Sequence, residues 1–426
     1  MDEVEDRSTA PLSIKANMVW NTAGSLFDLV CQYLIGIVVV RLENGFGAAG
    51  LYSLALSVYY VFSMVAAYRM NTIQISDVTD ENTTGEYFAF NLITCGIALV
   101  LSTAYFVISC DQSTWAPIFL YLVYRYVRVL VGVLQSCCQV HLRMDYVGIS
   151  NMLQGALSIG VFAAVFSLTG SLETTFLLMI IASVLAGVLY TYPHARRFGP
   201  IRVGIRLRKA GRLLVSCAPI VVAGIMVSAS GSLPKQYLSA TMGAAALGAY
   251  ASVSQPVNVI QMGAAYAYAP LISYFSQAFA DGDAAKLRKL LGRTALGLLV
   301  VFAVCSVGII ILGEPVLVLL CGEVIRPYVY LLRPLVLFAM TTAVASFLND
   351  LSIALRCFSG SFVGGAVQLL STLAVLIPTV SACGMAGVSY VGIISCLVAS
   401  LVVVLMLLAH GRRHFASFDP RRGHDD

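Results

Sequence analysis

Arg125 and Arg128 stand three residues apart, on one helical face, near the middle of an apolar stretch from about Trp115 to Cys137. At 1.5 Å rise per residue they lie roughly 15 to 20 Å from the outer end of that stretch, too deep for easy snorkelling. Charge at bilayer depth is costly and is kept where it faces a cavity, a partner or a substrate. Guanidinium groups stay ionised there and present forked donors, so the chemistry this pair offers is the binding of something anionic.

Other polar residues fall on single helical faces. Asn17, Asn21, Gly24, Asp28 and Gln32 recur at steps of three and four, as do Tyr121, Arg125, Arg128, Gly132, Gln135 and Gln139. Tyr250, Ser254, Asn258, Gln261 and Tyr268 form a third stripe with Ala265. Such stripes either bond neighbouring helices or line water. Asp28 has two open roles. It pairs with an arginine and lowers the cost of burial, or it is a protonatable or cation-binding carboxylate that couples to an ion gradient. Asp350 and Arg333 read as interfacial, near the ends of their apolar run.

The elements that must position these residues are membrane helices. Of the chain 59% is hydrophobic and only 11% charged, with a mean hydropathy of +0.87, a balance no water-soluble core absorbs. Twelve apolar runs of spanning length are expected, near residues 18–40, 50–68, 88–109, 115–137, 146–169, 174–193, 212–232, 245–272, 294–312, 328–350, 360–380 and 385–409. The polar, mostly acidic start predicts no cleavable signal. The reading is an all-α polytopic membrane protein.

Basic residues set an orientation. Of 26 Lys and Arg, only Arg41, Lys235 and Arg326 fall in outer loops, and Arg125, Arg128 and Arg333 within spans, when both termini are cytoplasmic. The richest segment, Arg196 to Arg212, parts the chain into halves. The expected organisation is a cytoplasmic segment 1–17, a lobe 18–193, a basic linker 194–211, a second lobe 212–409 and a cytoplasmic tail 410–426. The linker lacks interleaved aromatics beyond Phe198, which argues against nucleic acid and for topology anchoring beside anionic lipid. The halves resemble each other: Gly50 precedes Ser76 by 26 residues and Gly248 precedes Ser276 by 28, each pair bracketing a span. Six helices per half gives parallel repeats.

Enzymatic chemistry finds little support. Outer loops are short, and no nucleophile motif, phosphate-cradling Gly-rich loop or metal cluster stands out, so no cofactor and no metal is expected. The eleven cysteines lie mostly inside spans, and adjacent Cys137 and Cys138 lack metal-ligand spacing. His141 and the four other histidines sit at helix ends.

Trp20 to Ser25, Arg41, Gly50 to Ala55, Ile75-Ser76-Asp77, Gly85-Glu86-Tyr87, Tyr124-Arg125, Gln135, Arg143-Met144-Asp145, Pro234-Lys235-Gln236-Tyr237 and Gly313 to Leu317 together resemble the Wzx-type polysaccharide flippases of the multidrug/oligosaccharidyl-lipid/polysaccharide (MOP) exporter superfamily. The resemblance implies a MATE-like pair of six-helix lobes around a central cavity in the bacterial inner membrane. Its cargo would be an undecaprenyl-pyrophosphate-linked oligosaccharide, with H+ or Na+ as coupling ion and membrane lipids, glycosyltransferases and a glycan polymerase as partners. Arg125, Arg128, Arg41 and Lys235 are then expected at the headgroup, and Tyr121, Gln135, Asn21, Gln32, Tyr250, Asn258, Gln261 and Tyr268 around the sugars. A second arginine at Arg128 departs from a single-arginine pattern. A drug or metabolite antiporter of the same superfamily, using Asp28, is the rival; a cavity for organic cations would favour carboxylates over two arginines. A glycan polymerase or ligase is the third reading.

Overall fold

The structure, a computed structural model, describes residues 10–43, 45–76, 82–268, 271, 274–275, 278–279, 282–355 and 357–417. Asp77, Ser276, Arg356, Met1 to Thr9 and Asp419 to Asp426, used in the sequence reading, lie outside these. Within hydrocarbon every backbone N–H and C=O must be satisfied inside its own segment, and the described residues accordingly form helices joined by short connections, with no strand.

The chain divides into two compact units, Met1–Ile225 and Met226–Asp426. The first holds α1 (Ile14–Glu43), α2 (Gly47–Ala67), the short α3 (Met70–Ser76), α4 (Thr84–Ser109), α5 (Trp115–Val140), α6 (Met144–Thr169) and α7 (Leu172–Ala186). α7 runs through a π turn, Gly187–Thr191, into α8 (Tyr192–Arg196). α9 (Leu207–Met242) carries the chain from one unit into the next. The second unit continues with α10 (Ala244–Tyr268), α11 (Ala284–Cys321), a 3₁₀ segment (Glu323–Leu331), α12 (Leu332–Ala354), α13 (Phe358–Cys383) and α14 (Met385–Ser417).

Ten helices among the described residues are long and apolar enough to span a bilayer, and α9 makes an eleventh if its two parts, bent by 52° beside Pro219, count as one. The expected eighth span folds as α10, 25 residues long, but is not among them; its serines, Gln255, Asn258 and Gln261 dilute its apolarity. The protein is a multi-pass membrane protein.

Two local features of the first unit matter for the site. α1 and α6 approach through glycine: a Cβ on Gly24 would lie 2.4 Å from the Gly148 Cα, and one on Gly155 would lie 2.9 Å from the Asp28 Cα. Beneath them Tyr52, Tyr121, Phe162 and Phe176 form an aromatic cluster, with Tyr121 and Phe176 centroids 5.2 Å apart. The basic strap between α8 and α9 is docked onto this unit. Phe198 stacks on His141 at 4.3 Å, and Lys209 pairs at 2.7 Å with Glu86, whose carboxylate also closes a capping box with Thr83 at the start of α4.

Candidate functional site

The residues that could handle an anion converge on facing sides of α1 and α5. Asp28 and Gln32 are one turn apart on α1, and Gln32 Nε2 donates to Asp28 Oδ2 at 2.7 Å. Arg128 Nη2 lies 2.8 Å from both Asp28 oxygens, and its Nη1 donates to the Tyr124 hydroxyl at 3.2 Å. Each side chain of the Arg128–Asp28 pair is 14% exposed, so the pair is nearly dry. Tyr124 in turn bonds Ser158 at 2.6 Å, which donates to the Gln154 carbonyl. Arg128 is thus neutralised and held from two sides, with Asp28 paired to it.

Arg125 is in a different position. Its Nη1 donates to Gln32 Oε1 at 2.8 Å, and its guanidinium carbon sits 4.4 Å from the centre of the Tyr59 ring. Its Nε is buried without a hydrogen-bond partner, and among the described residues no carboxylate pairs with it. Gln32 therefore bridges a satisfied ion pair to a cation that keeps its charge and spare donors.

The remaining expected residues separate. Gln135 donates to Ser150 Oγ at 2.9 Å and Asn151 Oδ1 at 2.8 Å, joining α5 to α6. Tyr121 is 1% exposed inside the aromatic cluster and presents no face to a ligand here. Asn21 is exposed one turn from Ser25, and Arg41 is exposed in the last turn of α1. In the second unit Lys235 and Gln261 are partly buried, Tyr250 is buried with its hydroxyl 3.0 Å from Ser389 Oγ, and the Asn258 side chain lies outside the described residues. Tyr268, also buried, donates to Asp350 Oδ2 at 3.0 Å.

Asp350, which the sequence places near the end of its apolar run, lines a cavity of about 400 Å³ inside the second unit, with Tyr268, Thr342, Asn349, Gln368 and Ser400. The Ser361 hydroxyl donates to Asn349 Oδ1 at 2.5 Å, and Gly364 and Gly365 complete the wall. Among the described residues no group of His, Cys, Asp and Glu could hold a metal ion.

No family model matches the chain, and no curated protein matches it in sequence. Solved structures do match in shape. The lipid II flippase MurJ in an inward closed conformation superposes with a TM-score of 0.73 at 10% identity, over 93% of this chain and 90% of that one. An inward-facing multidrug resistance MATE family transporter of the MOP superfamily gives 0.66 at 14% identity, covering 93% and 96%. A MOP superfamily transporter from Pyrococcus furiosus, described as having a binding pocket of reverse polarity, gives 0.59 at 16% identity, covering 94% and 96%.

The chain has the MOP transporter fold.

Sequence reasoning missed Tyr59, and it named Asp350 without the cavity that Asp350 lines. Tyr59 carries no sequence signal, because its role depends on α2 meeting α5. The cavity at Asp350 had one: Asn349 and Asp350 are adjacent polar residues in the last two turns of α12, and only the packing of α12 against its neighbours sets them at a cavity.

Proposed function

We propose that this protein is a Wzx-type flippase that moves an undecaprenyl-pyrophosphate-linked oligosaccharide from the inner to the outer leaflet of the bacterial inner membrane by alternating access, with both termini and the basic strap cytoplasmic. The observation that carries the reading is Arg125. A guanidinium at bilayer depth with no carboxylate partner, an idle Nε–H and a ring beneath it is set to receive an anionic headgroup, and a charge-assisted hydrogen bond is about twice as strong as a neutral one. Arg128 contributes field rather than contact, since Asp28 already answers it. That one structural neighbour is named a lipid II flippase supports cargo of this kind. Arg41 and Lys235 remain candidates for guiding the headgroup, and Asn21, Gln32, Gln261 and Asn258 for the sugars.

The ion-coupled antiporter reading draws on Asp350, a carboxylate beside a polar cavity that suits a proton or a cation. Purified protein separates the two. Undecaprenyl pyrophosphate should raise the unfolding temperature and an organic cation such as tetraphenylphosphonium should not, with the first shift lost in Arg125→Ala. A shift with the cation alone would favour the antiporter.

A further inference from the structure

A guanidinium carries its N–H donors on a rigid, planar fork, and two of its edges present a pair of donors side by side: Nη1 with Nη2, and Nε with Nη2. In Arg125, Nη1 is engaged by Gln32 Oε1 at 2.8 Å. Gln32 thus occupies the Nη1 end of the group, and the edge in which Nη1 takes no part, with its idle Nε–H, is left whole. The Tyr59 ring, 4.4 Å from the guanidinium carbon, attracts the cation but sets no direction within its plane, since a π face offers no single acceptor atom. The direction comes from Gln32.

Gln32 is itself held in one orientation. An ionised carboxylate accepts and does not donate, so Asp28 Oδ2 takes the Gln32 Nε2–H at 2.7 Å and the other end of the amide, Oε1, faces Arg125. Asp28 is fixed in turn. Arg128 Nη2 stands 2.8 Å from both its oxygens, and α6 lies so close at Gly155 that a Cβ there would be 2.9 Å from the Asp28 Cα. Tyr124, bonded to Ser158 of α6, receives the other end of the Arg128 fork. A row of contacts through Ser158, Tyr124, Arg128, Asp28 and Gln32 therefore runs from α6 through the nearly dry ion pair and ends on Nη1 of Arg125.

We propose that Gln32 is a positioning residue for the headgroup cation: by holding Nη1 it reserves the Nε–Nη2 edge of Arg125 for two oxygens of a single phosphate, taken side-on. This rests on the reading of Arg125 as the headgroup-binding residue. It gives the ion pair a part in binding that needs no contact with the ligand, because Asp28 sets the polarity of the amide that sets the fork.

The test measures the affinity of undecaprenyl pyrophosphate for purified full-length protein, with unfolding temperature recorded in parallel. Gln32→Leu removes the anchor and releases Nη1, and affinity should fall about tenfold, the lower end for one hydrogen bond to a charged group. Gln32→Glu keeps the shape and the acceptor but lays a carboxylate on Arg125, so it should bind more weakly than Gln32→Leu. A residue that merely packed would give the reverse order. A cycle with Arg125→Lys isolates the fork: lysine has no edge to orient, so adding Gln32→Leu to that variant should cost about twofold or less. Gln32→Met, which also lacks the amide, takes the place of Leu if the Leu variant unfolds early. Native affinity in Gln32→Leu, stronger binding by Gln32→Glu than by Gln32→Leu, or additive losses in the double variant would overturn the proposal and leave the headgroup reading standing. Unchanged affinity in Arg125→Ala would overturn both.

Discussion

The two units of the chain carry ionisable groups of opposite sign in different states of compensation. In the first, Asp28 is consumed by Arg128 and Gln32, and what remains is the positive charge of Arg125 over the Tyr59 ring. In the second, Asp350 accepts from the neutral hydroxyl of Tyr268 and, among the described residues, pairs with no cation, at the wall of a cavity. A charge that is fully answered by the protein holds structure; one that is answered by dipoles alone is available to something that arrives. By that measure we propose that Arg128 and Asp28 are scaffold, and that Arg125 and Asp350 are the groups to which a ligand or ion would matter.

The contrast is most easily broken at Asp28. Replacing it with Asn leaves Arg128 buried without its counter-charge, an effect of about 3 to 5 kcal/mol when one member of a buried pair is lost. Folded protein in the membrane should fall sharply, and Asp28→Leu/Arg128→Leu should recover most of it. Abundance and unfolding temperature of the three proteins decide; a stable Asp28→Asn protein would show that the pair is not scaffold.

Gly155→Val is expected next in size. Its side chain would drive into the Asp28 backbone, where neither helix can yield without losing the glycine contact at Gly24 and Gly148, at a cost of about 1 to 3 kcal/mol. Thermal unfolding of purified protein reads this directly, and Gly160→Val on the same helix, where nothing lies within 4 Å, serves as the control that should be near neutral.

Tyr59→Leu removes the ring beneath Arg125 and should weaken the site by about 0.5 to 2 kcal/mol, seen as reduced headgroup binding at near-normal abundance. Asp350→Asn should be the mildest for folding, about 1 kcal/mol or less, because Asn still accepts from Tyr268. An unfolding shift as large as that of Asp28→Asn would erase the distinction between the units.

Much of the fold followed from residue patterns, for reasons visible in particular helices. Apolar run length located the spans, and the step of three and four along α1 and α5 put Asp28, Gln32, Arg125 and Arg128 on facing stripes because helical period is a local property. Which stripe residue meets which is not local. That Arg128 rather than Arg125 takes Asp28 depends on how α1 sits against α5, and the closeness of α1 to α6 rests in turn on Gly148 and Gly155. Tyr121 sat on the polar stripe by periodicity yet turns into the aromatic cluster, because Tyr52, Phe162 and Phe176 on three other helices offer its ring a dry partner. The bend at Pro219 was within reach, since proline removes a helical hydrogen bond, but its size depends on the neighbours of α9.

The central claim is that Arg125 binds the anionic headgroup by its forked donors and not by charge alone. The direct measurement is export of the glycan by cells carrying Arg125→Lys and Arg125→Ala, scored as lipid-linked oligosaccharide retained on the inner leaflet against polymer at the surface, with membrane abundance measured in parallel. The account predicts normal abundance for both, impaired export with Lys and nearly none with Ala. Normal export by a well-expressed Arg125→Ala protein would contradict it and leave Arg125 as a structural partner of Gln32 and Tyr59.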